Sequence, residues 1–161
     1  MPATYEPIST QTIGTAIASV TFSSVPATYT DLILVFNGTS ASTQGMELRF
    51  NGDTATNYSA TRLRGDGASA ASDRSSSLDV MEVGNVYTSQ TVNVFQIMNY
   101  ANTTTFKTVL CRSNNDSAQV SARVGLWRKT PEAITTIFLR PAGGANFSVG
   151  SVFTLYGIKA A

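Results

Sequence analysis

The chain has 161 residues, which is enough for one domain with a single hydrophobic core. Hydrophobic residues make up 42% of it, which excludes a disordered tail, while charged residues make up only 13%, against a usual value of about 25%. The chain instead contains 18 serines and 22 threonines, so short uncharged polar side chains must cover much of its surface.

The charge is nearly balanced, since 11 basic and 10 acidic residues give a net charge of +1. No basic cluster is present that could neutralise a phosphate backbone, so we expect no nucleic-acid partner. No apolar run approaches the roughly 20 residues of a membrane-spanning helix, and Met1 to Glu6 lack the basic start of a signal peptide. We therefore expect no membrane partner and synthesis in a cytoplasm.

Apolar residues recur at every second position along nearly the whole chain, between clusters of Gly, Asn, Ser and Pro, and this period is typical of strands. No segment has the pattern of an amphipathic helix. The predicted strands span about residues 11–22, 30–36, 46–50, 57–64, 78–83, 90–99, 105–113, 119–128, 133–140 and 151–159. About ten short antiparallel strands without helical crossovers predict an all-β, two-sheet β-sandwich of the jelly-roll type, formed by the single domain 1–161.

For three predicted strands, the residue pattern also indicates which faces are buried or how the strand ends. Residues 32–36 (Leu-Ile-Leu-Val-Phe) are continuously apolar, which predicts a central strand covered on both faces. Residues 46–50 alternate in polarity and end at Asn51-Gly52, a strong hairpin signal. Residues 120–127 place Val, Ala, Val and Leu on one face and Ser, Arg, Gly and Trp on the other, so we expect both faces to meet protein.

Two segments are too long or too polar to belong to the predicted core. Residues 65–77 are small or polar and have no apolar periodicity, which predicts a long surface loop. Residues 1–10 are predicted to form an N-terminal arm. We expect both segments to supply contacts to neighbouring molecules.

The residues that most enzymes need are missing or scattered. The sequence contains no histidine, which excludes Ser-His and Cys-His mechanisms and the commonest metal ligand. The four glutamates and six aspartates are spread along the chain, and aspartates in turns usually cap their own backbone. Cys111 lies in a strand-like run, which favours a buried inert thiol. We predict that the protein is not an enzyme and has no catalytic residues.

Two local patterns suggest a ligand, but turns explain both better. Residues 65–70 match a dinucleotide-binding pattern, yet neither the helix nor the ribose-binding acid follows. Four oxygen-bearing residues could gather around Ca²⁺, but the EF-hand order of ligands is missing. They are Asn51, Asp53, Asp66 and Asp73. We therefore expect no cofactor and no metal site.

Aromatic and arginine side chains of the kind enriched at interfaces and sugar-binding surfaces occur in two groups. They are Tyr58, Arg62 and Arg64, and Trp127 with Arg128. For Trp127 the alternative is a core position beside Leu126. The sequence leaves both roles open.

Three segments combine strand and turn residues in a distinctive order. They are FSSVPATYTDL at residues 22–32, LRFNGD followed by NYS within residues 48–59, and FTLYGIKA at residues 153–160. Together they resemble a group of virion structural proteins of tailed bacteriophages, including cyanophages, that occur as short separate proteins or as the ends of fibre-like ones. The resemblance implies a β-sandwich that is commonly trimeric and exposed on the particle, and it carries no active site.

The resemblance implies a non-enzymatic virion protein made in the host bacterial cytoplasm. The favoured function is capsid decoration or cement, in which a homotrimer clamps neighbouring major capsid subunits, because the chain is short and stands alone. The alternative is a tail-fibre or receptor-binding head that contacts host surface glycans through Tyr and Trp. A carbohydrate-active enzyme is disfavoured by the scattered acids. The expected partners are therefore copies of the chain itself, the major capsid protein or other virion proteins, and in the alternative a host glycan.

Overall fold

The structure is a computed structural model that describes residues 4–114 and 120–159. It confirms the predicted all-β sandwich of two antiparallel sheets. The strands are β1 (Tyr5–Thr12), β2 (Val20–Phe22), β3 (Asp31–Gly38), β4 (Gln44–Phe50), β5 (Tyr58–Gly65), β6 (Ala70–Leu78), β7 (Met81–Val86), β8 (Thr91–Ile97), β9 (Lys107–Asn114), β10 (Val120–Trp127), β11 (Ile137–Pro141) and β12 (Val152–Ile158). A short 3-10 helix, Ala142–Gly144, precedes the last strand. Within the described ranges, no helix has the length and apolar character needed to cross a membrane.

The strand order is that of a jelly roll widened by two hairpins. The large sheet has the order β1-β12-β3-β8-β9-β10-β5-β6, and the small sheet has the order β2-β11-β4-β7. If the hairpins β5–β6 and β9–β10 are set aside, the large sheet holds the first, eighth, third and sixth strands. The small sheet then holds the second, seventh, fourth and fifth. Apart from the fourth and fifth, which pair within the small sheet, successive strands thus alternate between the sheets, and this is the jelly-roll arrangement.

The core lies between the two sheets, and β3 is its central strand. β3 pairs with β12 on one side and β8 on the other, and its inward residues Leu32, Leu34 and Phe36 are fully buried. On the outward face Ile33 is buried but Val35 is only half-buried, so the predicted cover of both faces is partial. The ring of Phe36 contacts Phe147 and Phe153, with ring centroids 5.5 and 4.8 Å apart. Since each buried side chain of this size stabilises the fold by roughly 1.5–3 kcal/mol, this aromatic group fastens the connection before β12 to the core.

The structure corrects three predicted segments. Residues 11–22 are not one strand, because β1 and β2 belong to different sheets and the chain crosses between them. Residues 65–77 are not a long loop, since they form a tight turn and most of strand β6. Residues 5–10 of the predicted arm belong to β1, which pairs with β12 at one edge of the large sheet. These changes raise the strand number from about ten to twelve.

Parts of four predictions lie outside the described residues. They are residues 1–3 of the arm, residue 119 of the strand 119–128, Ala160 at the end of the third resembling segment, and the ends of the domain 1–161.

The Asn51-Gly52 turn is present, but the predicted hairpin is wrong. Both residues have positive φ, 51° and 66°, as a tight two-residue turn requires. However, β4 and β5 lie in different sheets, so the turn forms a corner of the sandwich. The Asn51 amide fastens this corner to the segment before β11. Its Nδ2 donates to the Ala133 carbonyl at 2.8 Å, and its Oδ1 accepts from the Thr135 N–H at 2.9 Å.

Gly157 on β12 leaves room for an aromatic ring, and this gives a test of the packing. A Cβ built at Gly157 would lie 2.3 Å from the Tyr29 ring, whereas a Cβ at Gly14 would meet nothing within 4 Å. We expect Gly157→Ala to lower the free energy of unfolding by about 1–3 kcal/mol through overpacking. Gly14→Ala should change it by less than about 0.5 kcal/mol. Urea unfolding measures both, and equal values for the two variants would contradict the packing described.

Candidate functional site

The structure confirms the core alternative for Trp127. The indole is buried, stacks on Tyr58 at 6.3 Å between ring centroids and lies 5.4 Å from the Phe50 ring. Tyr58 is also fully buried, and its hydroxyl accepts from the Phe50 N–H at 3.2 Å. Neither ring can therefore stack on a sugar at the surface of this fold.

Asp53 holds this aromatic group in place. Its Oδ2 accepts from the Trp127 Nε1–H at 2.6 Å and from Asn57 Nδ2 at 2.9 Å, and its Oδ1 accepts from the Ala55 N–H at 3.0 Å. Burial raises the pKa of Asp53, but the hydrogen bonds from Trp127, Asn57 and Ala55 outweigh it and leave the pKa below its ordinary value of 3.8. Asp53 is therefore a structural carboxylate, used to anchor the corner between the sheets.

This network predicts a pH-dependent effect of Asp53→Asn. Because the pKa of Asp53 is lower in the folded than in the unfolded chain, the ionised form stabilises the fold at neutral pH. That contribution is lost as the pH falls through the folded pKa, below about 4. We expect Asp53→Asn to lower the free energy of unfolding by about 1.5–3 kcal/mol near pH 7 and by less near pH 3. Denaturant unfolding at the two pH values checks this, and a loss that does not depend on pH would contradict it.

The remaining calcium candidates are not brought together. Asp66 Oδ1 accepts from the N–H groups of Ala68 and Ser69 at 2.9 and 2.7 Å, as a turn-capping aspartate does. Asp73 pairs with Arg62 on the neighbouring strand. Among residues 4–114 and 120–159, no three histidine, cysteine or acidic side chains are placed to hold a metal ion. The Gly65–Ala70 pattern is thus the turn between β5 and β6.

The predicted burial of Cys111 is confirmed. Its side chain faces the core on β9, and burial raises the pKa of the thiol well above its ordinary value. A thiol held in the protonated form is a poor nucleophile.

The outward face of the large sheet carries the first candidate site, which we call the outer apolar surface. In β10 the buried residues are Ser121, Arg123, Gly125 and Trp127. The apolar residues that alternate with them therefore face outward. The surface consists of Leu63, Val92, Val94, Leu110, Val120, Ala122, Val124 and Leu126 on four adjacent strands. Leu63 is directly opposite Ala122, and Leu110 directly opposite Val124. A groove of about 710 Å³ runs over it, with Arg64 and Arg112 among its lining residues.

The second candidate is a polar pocket on the opposite, inward face of the same sheet, which we call the arginine pocket. One row of directly opposite residues crosses four strands, in the order Cys111, Arg123, Arg62 and Asp73. The pocket encloses about 400 Å³ and is lined by Gly45, Glu47, Ala60, Arg62, Asp73, Ser75, Glu82, Asn85, Arg123 and Ala142. It therefore opens where the large sheet extends beyond the small one.

The charged side chains of the arginine pocket are fixed by their own partners. Arg62 donates through Nε and Nη2 to Asp73 Oδ2 at 2.9 and 2.6 Å. Arg123 donates through Nη2 to Asn85 Oδ1 at 2.8 Å. Glu82 Oε2 accepts from the Ser75 hydroxyl at 3.3 Å. The pocket thus presents an ordered set of donors and acceptors to a small molecule.

Arg123 is the unusual member of this set. The side chain is buried, with the residue only 6% exposed, and its Nε has no hydrogen-bond partner. Burial lowers the pKa of the guanidinium, the adjacent Arg62 lowers it further, and Glu82 acts in the opposite direction. Two like charges directly opposite each other are unfavourable in a sheet. The burial of Arg123 directly opposite Arg62 therefore lowers the stability of the fold.

Of the interface residues singled out in the sequence, only Arg62 lines the arginine pocket, while Arg64 is among the residues that line the groove beside the outer apolar surface. Sequence reasoning missed Arg123, Glu82 and Asn85. The only signal for Arg123 in the sequence is that it lies on the polar face of an alternating strand. The alternation does not show which of the two faces is inward.

Comparison of the chain with protein-family models, with curated proteins and with solved structures gives no match.

Proposed function

We propose that the protein is a non-enzymatic structural protein of a bacteriophage particle, and that it acts as a decoration or cement protein on the capsid. The observation that carries the proposal is the outer apolar surface. Contiguous apolar surface on a soluble protein marks a contact site, because leaving it in water is unfavourable. The resemblance of three segments to phage virion proteins and the jelly-roll fold, which occurs in viral capsids and also in lectins and cupins, support the same setting.

A homotrimer is the assembly that we propose for this surface. In a closed ring, each copy of the chain makes the same contact with the next copy, so the outer apolar surface of every copy is covered. No copy is left with a free contact surface to which further copies could add. The low fraction of charged residues, 13%, suits contacts made by apolar and short polar side chains. Arg64 and Arg112 at the groove would then meet acceptors on the neighbouring copy.

The contacts to major capsid subunits are assigned in this proposal to the two edges of the large sheet. β1 and β6 are those edges, and they include residues 5–10 and 70–77 of the two segments that the sequence suggested for such contacts. An edge strand presents unpaired backbone N–H and C=O groups, which can pair with a strand of another molecule. Nearly every residue of β6 is exposed, so its side chains do not obstruct such pairing.

The alternative, a tail-fibre or receptor-binding head, loses the contacts first suggested for it, because Tyr58 and Trp127 are buried. Counting the copies of the protein in particles of the virus that encodes it separates the two functions. A copy number comparable with that of the major capsid protein is expected for a cement protein. A copy number comparable with that of a tail protein would favour the alternative, and absence from the particle would contradict both.

Val124→Glu tests the role of the outer apolar surface. Val124 is 49% exposed, so the substitution should leave the monomer folded, but a carboxylate buried without a partner in the assembly costs about 3–5 kcal/mol. We expect self-association to weaken by more than about 100-fold. Val149→Glu is the matched control, since Val149 is 64% exposed and lies outside the sheets.

Sedimentation velocity gives the oligomeric state, and circular dichroism shows whether each variant is folded. A monomeric parent protein, or a Val124→Glu variant that associates as well as the Val149→Glu control, would contradict the proposed assembly.

A further inference from the structure

Two oppositely charged side chains of the arginine pocket, Arg123 and Glu82, do not form an ion pair with each other. Within residues 4–114 and 120–159, no ion pair joins Arg123 to a carboxylate, although Glu82 lines the same pocket. Arg62 has Asp73 as its partner, and Glu47 has Arg140 at 2.6 Å. Among the described residues, Arg123 and Glu82 are therefore the charged groups of the pocket without an ion-pair partner, while Arg62 uses only Oδ2 of Asp73 and leaves Oδ1 free to accept.

A buried guanidinium with an unpartnered Nε is rare in folded proteins. Arginine has five N–H donors, and the large majority of buried polar atoms have a partner in the protein or in a bound molecule. The Arg123 side chain donates to Asn85, while its Nε has no partner. The like-charged Arg62 directly opposite adds to the cost. Nε itself is closed to solvent, so a ligand would offset this cost by accepting from the other N–H groups of the guanidinium.

The charges in the pocket indicate the chemical class of that ligand. Three carboxylates line it, from Glu47, Asp73 and Glu82, so an anion would be repelled. A cation would be repelled by Arg62 and Arg123. A hydroxyl group both accepts and donates a hydrogen bond, so it can accept from a guanidinium and donate to a carboxylate at once. A molecule with several hydroxyl groups and no charge matches this set.

The size of the pocket agrees with a small sugar. Its volume of about 400 Å³ lies within the range of about 300–1,000 Å³ that is usual for small-molecule sites. Gly45, Ala60 and Ala142 leave this space open, because their side chains are absent or short. We propose that the arginine pocket binds a neutral saccharide unit, with Arg123 donating to a sugar oxygen and with Glu82 and Asp73 accepting from sugar hydroxyls.

This inference does not depend on the proposed function. The pocket and the outer apolar surface lie on opposite faces of the large sheet, since Arg123 points inward and Val124 outward. A failure of either proposal therefore leaves the other standing.

The test uses the Nε–Hε resonances of the arginine side chains in a ¹⁵N NMR spectrum of the full chain. The neutral probes are D-glucose, D-galactose and L-rhamnose, and the charged probes are D-glucuronate, inorganic phosphate and Ca²⁺. We expect at least one neutral sugar to shift the Arg123 resonance in a saturable way at millimolar concentration. Glu82→Gln and Asp73→Asn should each weaken this binding about tenfold, because each removes a charge-assisted acceptor.

Asp79→Asn is the matched control. Asp79 pairs with Arg49 at 2.6 Å and is 55% exposed, whereas Asp73 pairs with Arg62 at the same distance and is 47% exposed, but Asp79 does not line the pocket. The control should bind the sugar as the parent does.

Several outcomes would overturn the proposal. A spectrum that no neutral sugar changes would mean that the pocket holds water alone. A response only to phosphate and glucuronate, or only to Ca²⁺, would assign the pocket to an anion or a cation. Sugar binding that Glu82→Gln and Asp73→Asn leave unchanged would place the saccharide elsewhere.

Discussion

The two sheets differ in width, and this difference determines where the rest of the molecule can carry a function. A sheet of four strands can cover only part of the inward face of a sheet of eight. One row of inward residues begins under the small sheet with apolar side chains, Phe95 on β8 and Cys111 on β9, which are directly opposite each other. Further along the same row Arg123, Arg62 and Asp73 follow. The residues of this row therefore become more polar toward the part of the large sheet that the small sheet does not cover. The arginine pocket lies where the small sheet ends.

Much of the fold follows from the sequence, because strands with one buried face carry a period of two. The apolar run of β3 and the alternation of β4 predict their positions in the core. β6 could not be predicted in this way, since both of its faces are exposed and its residues Ala70–Leu78 need no apolar alternation. For β10 the period is clear but the orientation is not. Trp127 and the Asp53 carboxylate that binds it decide which face is inward, and this contact joins residues 74 positions apart.

The candidate sites were harder to predict than the strands for a related reason. Arg123 and Asn85 are 38 positions apart and meet only because β7 packs against β10 across the sandwich. No short motif connects them. Asn51 and Asp53, by contrast, belong to a recognisable turn, and the structure uses both to fasten the corner. A turn motif thus predicts the geometry of neighbouring residues. A pocket between two sheets depends on which strands face each other, and no local sequence pattern shows this.

β10 brings the two proposed functions together in one strand without making them interfere. Neighbouring residues of a strand point to opposite faces, so Arg123 can contact a sugar while Val124 contacts another copy of the chain. Assembly through the outward face would leave the inward pocket open to solvent, and the edge strands β1 and β6 would remain available for the capsid. Because the side chains at 123 and 124 lie on opposite faces of the sheet, a substitution at one of them leaves the side-chain contacts of the other in place. A protein built in this way can associate with copies of itself through one face and bind a small molecule on the other.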